Sequence, residues 1–413
     1  MKKNQTFVTE FILAGFSVSL DLQLFLFVFF LLVYIITVIG NLLIIVIIGT
    51  DRTLHIPMYL FLFVLSFSES CYSLVIVPKM LRDLLAESKT ISFAGCAAQM
   101  FFFLGLGGTN CFILTIMGFD RYLAICKPLH YPVLMNTHMI LWLIAFSWVG
   151  GFLLSVAETT LIFRLPYCGS KTINHFFCHM RTVVSLACTD ESITEVVVST
   201  VSVFGLSGSF LFIILTYVFI FSTIFQIPST DGWQKAFSTC TSHLIVVIMH
   251  YGFAAIVYLR PNTHGTLDND SLISVPYTII TPLLSPVIFT LRNKDIQIAV
   301  RKPLGDTLAL RAPASGGRRA GRRSPGSSAT RRRPEDKVKI MRSHYFLGEC
   351  FNLFSSVFKT GSGTKTTLVA LVDDLLQEMD WRNICQFSWT FQSQEGCGNH
   401  EKVPKGSFGM NED

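Results

Sequence analysis

The fold is decided by Leu24–Ile48, LFLFVFFLLVYIITVIGNLLIIVII, an unbroken run of mostly apolar residues that holds no charged side chain. The hydrocarbon core of a bilayer is about 30 Å thick, and roughly 20 apolar residues of α-helix cross it. This run is long enough for that, and we predict that it is a membrane-spanning helix.

Six further apolar runs follow, and short segments that carry most of the charges separate them. They are Met58–Pro78, Phe93–Phe119, Met139–Ala157, Val196–Phe225, Ala236–Leu259 and Ser271–Leu291. Of the 413 residues, 51% are hydrophobic and only 15% are charged, a balance expected where lipid surrounds much of the surface. We predict an all-α membrane protein, a bundle of seven transmembrane helices.

The count of seven spans determines on which side of the membrane each connecting segment lies, once the side of the N-terminus is known. If the N-terminus is outside, the segments after helices two and four are also outside, and the C-terminus is cytosolic. The sequon at Asn4 then lies where glycosylation occurs, and polar residues near it argue against a cleaved signal peptide. Four cysteines fall on the same oxidising side, and more basic residues fall on the other. These cysteines are Cys96, Cys168, Cys178 and Cys188.

A series of short strings lies at the ends of these helices, in a fixed order. They are Gly40-Asn41, LHIPMYLFL at Leu54–Leu62, PKML at Pro78–Leu81, ISFAGCAAQ at Ile91–Gln99, MGFDRYLAICKPLHY at Met117–Tyr131, LPYCG and HFFC within Leu165–Cys178, KAFSTCTSHL at Lys235–Leu244, and PLLSPVIFTLRNK at Pro282–Lys294. From about Phe7 to Leu304 the chain resembles the vertebrate odorant (olfactory) receptors of the land-vertebrate class, class II, which are rhodopsin-like G-protein-coupled receptors. The resemblance implies a plasma-membrane receptor for small, mostly apolar volatile ligands. It also implies activation of a stimulatory olfactory-type G protein and a rise in cyclic AMP.

Asp120-Arg121 lies at the cytosolic end of helix three. The Asp120 carboxylate can hold the Arg121 guanidinium along the helix until activation releases the guanidinium to contact the G protein. Arg suits this role because its planar guanidinium stays charged and can change hydrogen-bond partners. The alternative is an interfacial Arg that extends to lipid headgroups, and the resemblance favours the switch. It assigns further coupling and switch residues at Tyr122, Tyr217, Lys235, His243 and Phe289.

Glu69 is an acid in the interior of helix two, where an ionisable group is costly enough to indicate a role. The resemblance places it in a sodium pocket, and the alternative is a protonated, hydrogen-bonded Glu. Asn110 stands where many members carry a second acid, and Ser285 and Phe289 replace the usual Asn and Tyr. Sodium binding is therefore doubtful, and Asn110→Glu or Ser285→Asn should raise sodium sensitivity. The same departures leave open a receptor-like chain that folds but signals poorly.

The ligand site is predicted in the outer halves of the helices. Phe103, Leu104, Gly107 and Gly108 recur on one face of helix three, and the glycines either make room for a ligand or permit close helix packing. The resemblance adds Val201, Gly205, Tyr251, Ala254, Tyr258 and Thr278. Because this set carries almost no charge, we expect an apolar or weakly polar ligand that is held by shape and one or two hydroxyls.

Other functional classes find little support in the sequence. His175, Cys178 and His179 lie close together and suggest a metal site, but the resemblance pairs Cys178 with Cys96, and Cys168 with Cys188. We predict no metal and no cofactor. No Walker loop, HExxH motif or nucleophile elbow indicates an enzyme. A transporter or channel would require several paired intramembrane charges, and Glu69 is the single acid identified in the apolar runs.

The residues after Leu304 do not fit the resemblance. We divide the chain into an extracellular N-terminus, 1–23, a receptor domain with a short amphipathic C-terminal helix, 24–304, and a cytosolic tail, 305–413. Arg311–Arg333 holds eight arginines and no acid, a composition typical of a disordered linker. Its expected partner is anionic membrane lipid rather than nucleic acid. Thr367–Trp381 has the apolar spacing of a partner helix.

Overall fold

The computed structural model describes residues 8–16, 18–167, 170–188, 191–226, 230–258, 267–293 and 295–300. Several predicted positions lie outside these residues: the Asn4 sequon, Cys168 and the tail 305–413.

Seven helices in the described part of the chain are long and apolar enough to cross a membrane, which confirms the predicted count. They are α1 (Leu20–Thr50), α2 (Pro57–Leu85), α3 (Phe93–Cys126), α4 (Thr137–Phe163), α5 (Glu191–Phe225), α6 (Thr230–Tyr258) and α7, which consists of Leu267–Val275, Pro276–Ile280 and Thr281–Arg292. Single helical turns occupy Arg52–Leu54, Tyr131–Leu134 and Met180–Val184.

Local signals define where several helices begin. Pro57 opens α2, at a position where its missing N–H is not needed. The Ser92 hydroxyl accepts a hydrogen bond from the Gly95 N–H at 3.0 Å at the start of α3. Asn136 caps α4 in the same way, accepting from the Met139 N–H at 2.9 Å.

The outer surface of α1, α4 and α5 is apolar. Phe25 is 64% exposed, Trp142 63% and Phe219 56%. In a soluble protein such large side chains would lie in the core, whereas here they face the region that lipid occupies. The buried faces of the helices form an apolar core around Ile113 and Met117 of α3.

The middle of α7 is a wider turn, Pro276–Ile280. Further along the helix, Pro286 has no N–H to donate to the Pro282 carbonyl. The Asn41 amide of α1 donates to that carbonyl instead, at 3.1 Å. A side chain at Gly40 would come within 3.3 Å of the Pro286 ring, so the Gly40-Asn41 pair fits α1 against the irregular helix.

A small three-stranded sheet covers one end of the bundle. β1 (Glu10–Leu13) pairs antiparallel with β2 (Thr90–Ser92) and parallel with β3 (Thr172–Ile173). Phe11 and Leu13 of β1 are fully buried beneath it. The N-terminal segment therefore lies at the same end as the α2–α3 and α4–α5 connections, and we call this end the cap.

Candidate functional site

The end of the bundle opposite the cap holds an ion pair. Arg121 donates to Asp120 Oδ2 through Nη2 at 2.7 Å and through Nε at 3.2 Å. The Tyr131 hydroxyl donates to the other carboxylate oxygen at 2.8 Å. Burial, and then the Asp120 charge, raise the pKa of the Tyr131 phenol, which keeps its proton for this bond. The guanidinium is thus held sideways along α3.

A hydrogen-bonded chain joins α3, α5 and α6 next to this pair. The Tyr217 hydroxyl lies 2.8 Å from His243 Nδ1, and His243 Nε2 lies 2.9 Å from the Leu114 carbonyl. Gly118 allows the approach, because a Cβ there would lie 3.3 Å from Thr216 Oγ1 and 3.5 Å from the His243 ring. Two of the predicted coupling and switch residues, Tyr217 and His243, are therefore in direct contact.

The other predicted switch residues are more dispersed. Phe289 of α7 is buried, 2% exposed, in the same core. Tyr122 is half-buried and packs between Phe119 and Phe219. The side chain of Lys235 lies outside the described part of the structure.

Glu69 is buried in α2 with 3% exposure, and Ser285 of α7 lies beside its carboxyl. Asn41 Oδ1, Ser68 Oγ and Asn110 Oδ1 are among the buried oxygens of α1, α2 and α3 that have no hydrogen-bond partner in the described part of the chain. A buried oxygen without a partner suits a bound water or a hard cation. The sodium site and the protonated Glu both stay predictions.

A cavity lies between α3, α4, α5, α6 and α7, towards the cap. Its volume is about 80 Å³. Six of the residues predicted for the ligand site line it: Phe103, Leu104, Gly107, Gly108, Gly205 and Tyr258. Seven further residues complete the wall: Cys111, Phe112, Leu154, Glu158, Leu206, Ser209 and Tyr277. We call this space the outer cavity.

Three predicted residues are buried near the outer cavity but do not line it. The Tyr251 hydroxyl donates to Ser209 Oγ at 3.0 Å and to the Cys111 carbonyl at 3.3 Å, linking α6 to two lining residues. Ala254 is fully buried, and the Thr278 hydroxyl bonds within α7. The Val201 side chain lies outside the described residues.

The two interpretations of the α3 glycines apply to different residues. A Cβ at Gly108 would lie 3.1 Å from the Gly151 backbone of α4, which is close helix packing. A Cβ at Gly107 would lie 3.5 Å from the Tyr277 hydroxyl across the outer cavity, so this glycine widens the space.

Sequence reasoning missed Glu158. The apolar run of helix four ends at Ala157, but the helix continues to Phe163, and Glu158 is buried with 6% exposure. The positions Ser147, Gly151 and Ser155 recur every four residues before it on the same buried face. That spacing of small residues was the available signal.

The helices extend beyond the apolar runs. Glu69 is the single acid within those runs, but α2 reaches Leu85 and includes the pair Lys79–Asp83 near its end, with Nζ and Oδ2 2.5 Å apart.

The cap is covalently attached to α3. A disulfide joins Cys96 at the start of α3 to Cys178 in the α4–α5 connection. Cys188 is also disulfide-bonded, while its predicted pairing with Cys168 stays a prediction. Within the described residues, no group of three or more His, Cys, Asp or Glu side chains is arranged to hold a metal ion.

Known proteins resemble this arrangement. A family model described as olfactory receptor matches residues 30–307. Olfactory receptor 10X1 of Homo sapiens is 57% identical over 311 residues, which are 75% of this chain and 94% of that receptor. The chain belongs to the olfactory receptor family.

A second relative and a solved structure agree with this. Olfactory receptor 10R2 of Homo sapiens is 50% identical over 311 residues, which are 75% of this chain and 93% of that receptor. Squid rhodopsin superposes with a TM-score of 0.54 at 15% identity, covering 71% of this chain and 88% of its own, and so shares the fold. The protein is a multi-pass G-protein-coupled receptor of the plasma membrane, not an enzyme, with an odorant as ligand and a G protein as partner.

Proposed function

We propose that this olfactory receptor binds a small volatile ligand in the outer cavity and activates a stimulatory olfactory-type G protein, raising cyclic AMP. The observation that carries the proposal is the closed Asp120–Arg121 pair, with Nη2 and Oδ2 2.7 Å apart. A planar guanidinium that is held by one acid can exchange it for another partner. Release of Arg121 would expose a charged fork at the cytosolic end of α3.

The size of the outer cavity supports ligand-driven opening. Its volume is about 80 Å³, whereas a cavity of about 150 Å³ admits benzene. An odorant of that size therefore binds better to a wider arrangement of the helices. Differential affinity of this kind shifts the population towards the wider state.

Hydrogen bonds between helices would transmit the widening of the outer cavity to the end of the bundle that holds the Asp120–Arg121 pair. A ligand in the outer cavity contacts Ser209 and Cys111, and both accept hydrogen bonds from Tyr251 of α6. Further along α6, His243 bonds to Tyr217 of α5 and to α3. We propose that displacement of α6 breaks both connections together and frees Arg121.

Arg121→Ala tests the switch. This variant is expected to lose ligand-evoked cyclic AMP while still reaching the surface, since the guanidinium would act on the G protein rather than hold the fold. Arg52→Ala, at an exposed arginine between α1 and α2 on the same side, is the matched control and should respond normally. Full signalling by Arg121→Ala at matched surface level would contradict the assignment.

A receptor-like chain that folds but signals poorly is the second candidate. Phe289 favours it, because this buried residue has no hydroxyl with which to bind a new partner after α6 moves. If this candidate is right, Phe289→Tyr should raise the maximal cyclic AMP response several-fold over the unmodified receptor.

We also propose an extracellular N-terminus and a cytosolic C-terminus. Pairing of β1 with β2 and β3 keeps the N-terminal segment at the end that holds the Cys96–Cys178 disulfide, and disulfides persist in oxidising compartments. Glycosidase treatment is expected to shift the gel band of the receptor but not that of Asn4→Gln. An unshifted band together with alkylation of Cys96 in non-reduced protein would reverse the orientation.

A further inference from the structure

Tyr72 of α2 holds a polar group in the interior of the bundle without a partner. The side chain is 3% exposed, and its hydroxyl oxygen has no hydrogen-bond partner among the described residues. The Tyr277 hydroxyl of α7 lies near it, but the two groups are not placed for a hydrogen bond. A buried hydroxyl without a partner lowers the stability of the fold. Such a group marks a position where a bound molecule can supply the missing partner.

Both tyrosines converge on the space beside Gly107 of α3. A Cβ at Gly107 would lie 3.5 Å from the Tyr277 hydroxyl oxygen and 3.8 Å from Cε2 of the Tyr72 ring. Gly107 and Tyr277 line the outer cavity, and so does Phe103, whose ring centroid lies 5.2 Å from that of Tyr72. Tyr72 therefore lies behind this part of the wall. We call the space beside Gly107, Tyr72 and Tyr277 the polar corner.

Two other polar groups in the wall already have hydrogen-bond partners. The Ser209 hydroxyl donates to the Leu206 carbonyl at 2.8 Å and accepts from Tyr251 at 3.0 Å. The Cys111 thiol lies 3.4 Å from His250 Nε2. These two groups therefore have less capacity left for a ligand than the polar corner has.

The chemistry of the polar corner suits a carbonyl oxygen. Each tyrosine hydroxyl can donate one hydrogen bond, and a carbonyl oxygen has two lone pairs and no proton, so it can accept from both. An alcohol that accepts from both leaves its own proton without an acceptor, which is unfavourable in a buried site. Leu154 of α4 and Leu206 of α5 present apolar surface for the rest of the molecule.

We propose that the outer cavity takes a small ketone or aldehyde, whose oxygen accepts hydrogen bonds from Tyr72 and Tyr277 beside Gly107. This inference rests on the proposed ligand-binding role of the cavity, and it names a ligand class and two anchoring residues. Neither tyrosine is among the ligand-site residues predicted from the sequence. Because Tyr72 lies behind the wall, its bond to the ligand forms as the cavity widens.

Matched ligands provide the first test. Methyl ketones are compared with alkenes of the same skeleton, in which a methylene group replaces the carbonyl oxygen, and with secondary alcohols of the same chain length. Affinities for the purified full-length receptor are obtained from the dependence of its melting temperature on ligand concentration. The ketone is expected to bind severalfold more tightly than the alcohol. An alcohol that binds as tightly as the ketone would overturn the carbonyl assignment.

Tyr72→Phe removes the hydroxyl and keeps the ring. Ketone affinity is expected to fall about fivefold, the equivalent of one neutral hydrogen bond, while alkene affinity stays nearly unchanged. Tyr277→Phe should act in the same way. If Tyr72→Phe keeps the full ketone affinity, the two tyrosines serve only each other and the proposal is wrong.

Tyr34→Phe is the matched control. The Tyr34 hydroxyl is also buried without a hydrogen-bond partner among the described residues, but α1 contributes no residue to the described wall of the outer cavity. Loss of a buried hydroxyl without a partner should raise the melting temperature of the unliganded receptor in both variants. Only Tyr72→Phe should also change the affinity for the ketone.

Infrared spectroscopy gives a readout that requires no variant. Hydrogen bonds to a carbonyl oxygen lower its stretching frequency below the value in a hydrocarbon solvent. Isotope-edited difference spectra of a ketone bound to the unmodified receptor should show this lowering, and a smaller one with Tyr72→Phe. A bound ketone with the hydrocarbon frequency would overturn the proposal even if the variants failed to fold.

Nucleotide exchange on the G protein separates this inference from the proposed function. Ketone binding that depends on Tyr72 but drives no exchange would leave the ligand assignment standing and reject the signalling proposal. Exchange that ketones drive with equal potency in the unmodified receptor and in Tyr72→Phe would do the reverse.

Discussion

His179 is buried in the cap with 5% exposure, and neither ring nitrogen has a hydrogen-bond partner among the described residues. Burial, and then the charge of Arg181, lower the pKa of His179 from 6.5 to about 4. The ring is therefore neutral in the folded receptor at neutral pH. Its neighbour His175 stacks on it at 5.0 Å and bonds to Ser274.

The lowered pKa makes the cap sensitive to acid. Between about pH 6.5 and pH 4 the unfolded chain binds a proton at His179 that the folded chain does not, so stability falls as the pH falls through this window. At about pH 5 the expected loss is about 2 kcal/mol. His179→Leu should remove this loss and should also raise stability at neutral pH, because two buried unpaired nitrogens disappear.

Melting temperatures of the purified receptor at about pH 7 and pH 5 measure the effect. The control is His130→Gln, since His130 is exposed on the opposite side of the bundle. If His179→Leu melts with the same pH dependence as the unmodified receptor, another group causes the acid sensitivity.

The sequence predicts the contacts of some residues and not those of others. Asp120 and Arg121 are adjacent in the chain, so their pairing could be expected before any tertiary structure was known. Glu158 comes after the end of an apolar run, and its place in a cavity wall depends on how α4 packs against α3. That packing joins residues that are far apart in the chain, so the pattern of apolar residues does not predict it.

At the scale of elements, α3 and α4 approach each other closely at Gly151. A Cβ there would lie 2.6 Å from the Thr109 N and Oγ1 atoms and 2.7 Å from the Gly105 carbonyl. Backbone atoms cannot move aside as a flexible side chain can, so Gly151→Ala must force the helices apart. We expect a loss of about 1–3 kcal/mol and reduced surface delivery.

Gly252→Ala is the matched control, because Gly252 is also helical but a Cβ there meets nothing within 4 Å. It should be neutral, or stabilising by up to about 1 kcal/mol, since alanine is the better helix former. Thermal unfolding and surface labelling of both variants give the comparison. Equal behaviour of the two variants would contradict the close contact at Gly151.

The number of helices was predictable, and their ends were not. A bilayer requires long apolar segments, and each of the seven is visible in the sequence. Charges do not end a helix when they can pair along it, as Lys79 and Asp83 do one turn apart in α2. The wide turn at Pro276 depends on neighbouring helices that satisfy freed backbone groups, and the local sequence does not specify them.

At the scale of the whole molecule, the end of the bundle opposite the cap is already covered by residues up to 300. Residues 295–300 are helical, and Ile296 and Ala299 are buried in the core. The Tyr59 hydroxyl of α2 lies 2.8 Å from Asp295 Oδ2 and 3.0 Å from Asn293 Oδ1. These contacts attach the segment after α7 to the bundle, and the olfactory receptor match ends soon afterwards, at residue 307.

Deletion of Asp306–Asp413 is therefore expected to preserve ligand-evoked cyclic AMP and to raise surface expression. Each basic residue near an anionic membrane contributes about 1 kcal/mol of binding free energy. The eight arginines of Arg311–Arg333 would therefore hold the tail against the cytosolic leaflet and crowd the G protein.

Replacing those arginines with serine in the full-length chain is the matched control, and it should reproduce the gain in surface expression if charge is the cause. Dose–response curves are compared at matched surface levels. A truncated receptor that reaches the surface and loses all response would show that the tail belongs to the signalling apparatus, whereas a gain with truncation but not with serine would assign the effect to residues beyond Arg333.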